Sequence, residues 1–152
     1  ARMAVFEDNL LGSRRPEWAI QQPGGSPWRA AGGRAWTDPF RREVWEYNIA
    51  LAREVAGLGF NEIQFDYVRF PTDGAISACR YSRESTPESR VEAINGFLAL
   101  ARRELDETGA FLSADLFGLT TFSDDETGIG QLLVSLEHGQ RIHARLGSHC
   151  AH

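Results

Sequence analysis

No stretch of this sequence approaches the ~20 consecutive apolar residues of a membrane-spanning helix. Nor is there an excess of positive charge. The net charge is -5 and no basic stripe is visible, so the electrostatic footprint of a nucleic-acid binder is missing. Cysteine is scarce: Cys79 and Cys150 could form one disulfide, but the sequence does not place them near each other, and two cysteines do not fix the redox compartment. Histidine is absent before position 138. His138, His143, His149 and His152 all stand at the end, where their spacing matches no tight zinc motif. The body of the chain therefore lacks the usual imidazole ligands and bases. No glycine-rich turn follows a strand-like run to cradle a phosphate, because Gly24-Gly25 and Gly32-Gly33 stand in loop sequence. No Gly-x-Ser-x-Gly elbow is present. No metal and no cofactor are expected. No signal-peptide pattern opens the chain, which starts at Ala1 directly in a strand-like run.

What is present is the material of one globular domain. The 152 residues are 42% hydrophobic and 24% charged, enough for a sizeable core. The most informative stretch runs from Gly59 to Pro71, between two residues that end regular structure. It is rich in aromatic and branched residues and predicts a strand. Ile63, Phe65 and Tyr67 alternate with Glu62, Gln64, Asp66 and Val68, so one face is apolar while the other carries two carboxylates and an amide. A polar face on a strand with helices around it is costly unless it lines a polar cavity or every group is paired.

The flanking patterns predict repeated βα units. Arg2 to Glu7 forms a first strand. Asn9 to Asp38 is a long irregular segment holding Trp18, Trp28 and Trp36, with a helical turn from Pro16 to Ile20. Thr37-Asp38-Pro39 combines a capping residue with a first-turn proline and predicts a helix over 39–58, with Val44, Tyr47, Leu51, Val55 and Leu58 as its buried stripe. Gly57 or Gly59 supplies the left-handed stop. The second strand spans 61–69. Ser85-Thr86-Pro87-Glu88 opens a helix over 87–107, buried through Val91, Ile94, Leu98, Ala101 and Leu105, with Gly96 marking a close contact. A third strand spans 110–117, and a further helix begins near Ile129. Strand–helix–strand connections of this kind are right-handed and give parallel neighbours. About three units are present, whereas a whole eight-stranded barrel takes ~250 residues. The expected class is α/β, a partial (β/α)8 barrel, over residues 1–137. Residues 138–152 hold no convincing strand and form a separate tail.

Carboxylates recur at the carboxyl ends of the strands: Glu7 and Asp8, then Asp66, then Asp115. In a parallel barrel these ends converge on one mouth. Arg69 follows Asp66 closely enough to pair with it, or to bind substrate hydroxyls. Trp28, Trp36, Tyr67 and Tyr81 offer flat apolar rings with polar rims, suited either to sugar stacking or to core packing. Asp124-Asp125-Glu126 is a solvated acidic loop.

The segment Phe65-Asp66-Tyr67-Val68-Arg69-Phe70-Pro71 resembles the signature of a family of glycoside-hydrolase-like domains of unknown function, related to the α-amylase-type barrels. The resemblance extends in order through Arg2 to Asp8, Arg15-Pro16-Glu17, Trp36-Thr37-Asp38-Pro39, Val44 to Ala50, and Leu112 to Gly118. The tail from His138 departs from it. The resemblance implies a glycosidase acting on a poly- or oligosaccharide, outside the cell or at its envelope. It places Asp66 as the nucleophile and Asp115 where the acid/base is expected. Arg69, Tyr67, Asp8 and Trp36 are the candidate substrate-binding residues. Glycoside hydrolysis needs two such carboxyl groups across the scissile bond.

Two other functions stay open on sequence alone. A barrel piece can bind carbohydrate without turnover, or the strand-end carboxylates can serve a metal-dependent hydrolase, against which the lack of histidine in the body argues. A three-unit piece also has two open sheet edges, which invite self-association.

Overall fold

The structure, a computed structural model, describes residues 1–116 together with 130 and 131. The expected helix near Ile129, the Asp124–Glu126 carboxylates, Cys150 and the tail from His138 lie outside the described residues. Strands β1 (Arg2–Ala4), β2 (Glu62–Asp66) and β3 (Phe111–Ala114) form one sheet in that order. Both pairings are parallel: Arg2 lies opposite Gln64, and Phe65 opposite Ala114. A short helix, α1 (Asn9–Arg14), follows β1, and the crossovers are completed by α2 (Arg42–Gly57) and α3 (Pro87–Leu105).

The alternation in the sequence divides the sheet into two faces. Met3, Ile63, Phe65, Leu112 and Ala114 are buried on the helix side. Phe97 of α3 is the hub there, 5.5 Å from the Phe6 ring, 5.2 Å from Phe65 and 6.3 Å from Trp45 of α2. Fully burying such a side chain contributes roughly 1.5–3 kcal/mol. The opposite face carries Arg2, Glu62, Gln64, Asp66, Ser113 and Asp115, joined by hydrogen bonds such as Ser113 Oγ to Glu62 Oε1 at 2.6 Å.

Several boundaries differ from the sequence expectation. The second strand stops at Asp66, because Tyr67 adopts φ +51° and leaves the β region. The helix expected from residue 39 begins at Arg42. Asp38 turns its side chain elsewhere: Oδ1 accepts from Phe40 N–H at 3.0 Å and Oδ2 from Ser82 N–H at 2.7 Å, tying two loops together. The buried face of α2 is also rotated from the expected stripe. Val44, Asn48, Ile49, Ala52 and Ala56 are buried, whereas Tyr47, Leu51 and Leu58 are 41%, 39% and 74% exposed. The small Ala52 and Ala56 side chains let α2 lie close to the core. Asn48 donates to Val5 O at 3.3 Å and Val44 O at 2.9 Å.

Helix α3 follows its sequence signals. Thr86 and Ser89 form a reciprocal capping box with Pro87 in the first turn. Gly96 does mark a close approach: a Cβ there would stand 3.0 Å from Trp45 Cη2. The long segment after β1 is more ordered than expected. It contains α1, a 3-10 turn at Pro16–Trp18, and antiparallel bridges Ala19 to Thr37 and Arg29 to Ala35. Cys79 is a buried free thiol, and burial pushes its pKa up.

Candidate active site

The β2–β3 ladder continues one residue past β3. Asp115 N–H donates to Phe65 O at 2.8 Å, which sets Asp115 level with Asp66 on the polar face. Their side chains are 16% and 15% exposed. Like charges directly opposite on neighbouring strands repel, and the structure answers with a cation from β1. Arg2 Nη2 bonds to Asp66 Oδ2, while Arg2 Nε lies 3.6 Å from Asp115 Oδ2. The remaining oxygens take neutral donors: Tyr67 N–H reaches Asp66 Oδ1 at 2.8 Å, and Gln64 Nε2 donates to Asp115 Oδ1. Each carboxylate is thus fixed by one neutral donor and the shared guanidinium.

Tyr67 holds its left-handed conformation against the usual cost of roughly 1–3 kcal/mol for such a residue. The bond from its own N–H to Asp66, the Phe6 N–H donating to Tyr67 O at 3.3 Å, and an edge contact with Trp36 at 6.0 Å hold it there. The turn carries the chain away from the sheet and places Arg69 against Trp36 and Tyr67, 5.3 and 5.6 Å from their ring centres. Arg69 donates to Phe70 O at 3.0 Å and Thr72 Oγ1 at 3.2 Å. Burial lowers its pKa, opposed by the charges of Tyr67, Glu7, Asp73 and Asp66.

The sequence offered Arg69 as a partner for Asp66 or as a group for substrate hydroxyls. The guanidinium bonded to Asp66 is instead that of Arg2, because the parallel register puts Arg2 on the same face while the Tyr67 turn takes Arg69 off it. The structure brings Asp66 and Asp115 together and gathers Tyr67, Arg69 and Trp36 into an adjoining group. Trp36 is buried at 1% exposure, so its ring has no open face for a sugar. Among the described residues its Nε1 has no hydrogen-bond partner. Trp28 is equally buried, its Nε1 donating to Ala75 O at 3.0 Å. Asp8 spends one carboxylate oxygen as the N-cap of α1, accepting from Leu11 N–H at 2.8 Å. Its neighbour Glu7 pairs with Arg34 at 3.2 Å. Burial raises the Glu7 pKa, with Arg34 and Arg69 opposing and Asp73 and Asp66 adding to the rise.

Arg2 and Gln64 are the site residues that the sequence did not single out. Gln64 was legible as an amide on the polar face. Arg2 had no local signal, since its role depends on register with a strand more than sixty residues away. Among the described residues, no group of three or more His, Cys, Asp or Glu side chains is arranged to hold a metal ion.

Parallel strands joined through helices on one face, with polar side chains on the other and Asp66 and Asp115 at the carboxyl ends, define a partial (β/α)8 barrel. Residues 1–141 match the family described as "putative glycosyl hydrolase domain", and the chain belongs to that family. That family match supports a glycosidase-like character at the level of the family. A solved hypothetical protein from Ruminiclostridium thermocellum ATCC 27405 is 38% identical, with a TM-score of 0.63 over 75% of this chain and 56% of its own. An α-galactosidase from Thermus thermophilus, solved with stachyose, is 22% identical and shares the fold at a TM-score of 0.52 over 74% of this chain and 23% of its own. The chain thus spans little more than half of the first and a quarter of the second. No curated protein sequence matches it.

Proposed function

We propose that this chain carries the catalytic carboxylate pair of a glycoside hydrolase acting on a poly- or oligosaccharide, with Asp66 as nucleophile and Asp115 as general acid/base. The observation that supports this most is their level placement at the ends of neighbouring parallel strands, bridged by Arg2. Strands lie about 4.8 Å apart. That proximity suits the roughly 5–5.5 Å separation of retaining enzymes better than the roughly 6.5–9.5 Å of inverting ones. Asp66, bonded to Arg2 and aligned by Tyr67 N–H, attacks the anomeric carbon. Asp115 protonates the leaving oxygen and then takes a proton from the attacking water. Arg69 and Tyr67 bind sugar hydroxyls beside the pair. Trp36 supports both from beneath, and Asp8 shapes the rim through α1.

Asp66→Asn in the full-length polypeptide tests the assignment. It keeps shape and removes the attacking charge, so turnover of chromogenic glycosides should nearly vanish while folding and sugar binding persist. Asp115→Asn should harm substrates with poor leaving groups far more than activated aryl glycosides, which need little protonation. Product stereochemistry by NMR should show retention. Full activity in Asp66→Asn would remove the mechanism.

A second reading is carbohydrate binding without turnover. It is favoured by the fact that both carboxylates are already satisfied within the fold. Saturable sugar binding by the wild-type polypeptide, with no turnover of any glycoside, would put that reading in front.

A further inference from the structure

Gln131 is 1% exposed and stands next to Gly130, which holds φ +81°. A Cβ on Gly130 would lie 2.7 Å from both Arg90 O and Ile94 Cγ1, so the backbone here is pressed against α3 and has little freedom to shift. From that fixed point Gln131 Nε2 donates to Val68 O at 3.2 Å and to Asp115 O at 3.4 Å. The first carbonyl is two residues beyond Asp66; the second belongs to Asp115 itself. Asp115 is therefore held at both its peptide groups: its N–H by Phe65 O of β2 and its C=O by Gln131.

We propose that Gln131 is a positioning residue that staples the carboxyl ends of β2 and β3 and so fixes the placement of Asp115 relative to Asp66. This rests on the assignment of Asp115 as general acid. A buried side-chain amide is suited to the task because it carries two N–H donors and can serve two carbonyls at once. A misplacement of about 1 Å at a reacting group can cost about 100-fold in rate. The role concerns the acid more than the nucleophile, since Asp66 is anchored independently by Arg2 and Tyr67 N–H.

The test uses the full-length polypeptide with Gln131→Met, which keeps length and removes both donors, and Gln131→Glu, which keeps shape and sets carboxylate oxygens against the two carbonyls. Glycosides with poor and with activated leaving groups are compared. The expected result is a fall in kcat of about 10- to 100-fold on the poor leaving group, with KM little changed and far less loss on the activated one. A loss equal on both substrates after correction for the amount of folded protein, or no loss, overturns the proposal. If the wild type turns over neither substrate, the proposed function fails and this inference is judged by amide hydrogen exchange instead. Faster exchange at Asp115 N–H in Gln131→Met, with Val5 N–H unchanged, supports it; unchanged exchange at Asp115 overturns it. Should Gln131→Met not fold, Gln131→Glu is read by the same two measurements.

Discussion

Asp38 and Glu7 are carboxyl groups placed where burial raises their pKa above the ordinary 3.8 and 4.5. Asp38 is the more enclosed, at 2% exposure. Backbone N–H groups of Phe40 and Ser82 oppose the rise at Asp38, and Arg34 and Arg69 oppose it at Glu7, without cancelling it. The sign of the consequence is fixed by proton counting. Between each ordinary value and its raised value, the folded protein binds more protons than the unfolded chain, so stability falls as pH rises through that window. Above it the full cost of holding both charges is present. Thermal unfolding followed from neutral to mildly acidic pH should therefore show the melting temperature rising as Glu7 and Asp38 gain protons. Asp38→Asn should flatten part of this slope. It should also cost about 1–3 kcal/mol, because the amide oxygen can accept from only one of the Phe40 and Ser82 N–H groups and leaves the other buried and unsatisfied. An unchanged slope in the variant would move the effect away from Asp38. The sequence around Asp38 reads as a helix cap, and local chemistry alone supports that. What defeats it is Ser82, forty-four residues later, whose N–H takes the second carboxylate oxygen.

Among the elements, α2 shows where periodicity is ambiguous. Val44, Tyr47, Leu51, Val55 and Leu58 keep helical spacing, and so do Val44, Asn48, Ile49, Ala52 and Ala56. The first set is the more hydrophobic, yet the second faces the core. Alanine gives a weak apolar signal in sequence but permits the closest packing, and Asn48 is drawn inward by the Val5 carbonyl. Strand β2 carried no such ambiguity, because a period of two leaves only two faces, and Gln64 and Asp66 had to share one. The two faces of α2 can be told apart by denaturant unfolding. Leu51→Gln and Tyr47→Gln should shift stability by no more than about 0.5 kcal/mol, as surface changes do. Ile49→Ala should cost about 2–5 kcal/mol through a core cavity, and Ala52→Leu about 1–3 kcal/mol through overpacking. The reverse order would restore the face read from sequence. Helix α3 gives a sharper case at its contact with residue 130. Gly130→Ala combines a left-handed φ with a Cβ 2.7 Å from backbone, so it should destabilise the fold by more than any of the α2 surface changes.

On the scale of the whole molecule, the sheet has three parallel strands with β1 and β3 outermost, and among the described residues nothing pairs with their outer sides. This much was legible, since a helix, a glycine and a strand in succession imply parallel neighbours, and three such units are too few to close a barrel. Unpaired edges are templates for other chains. The alternation of the ladder identifies which groups are exposed to pairing. Val5 N–H donates inward to Asp66 O, so Ala4 N–H points to the open side of β1. Asp115 N–H donates inward to Phe65 O, so Ala114 N–H points to the open side of β3. Phe111, 60% exposed at the start of β3, adds apolar surface beside that edge. The isolated 152-residue chain should therefore self-associate with rising concentration in sedimentation velocity. Proline at these two positions removes one outward donor from each edge and leaves the bonds to β2 in place. The double variant Ala4→Pro, Ala114→Pro should accordingly remain monomeric to higher concentration than the wild type, with its helical content unchanged by circular dichroism. Association that persists undiminished in the double variant would place the contact away from the edges, and a wild-type chain that stays monomeric at every concentration would remove the self-association expectation altogether.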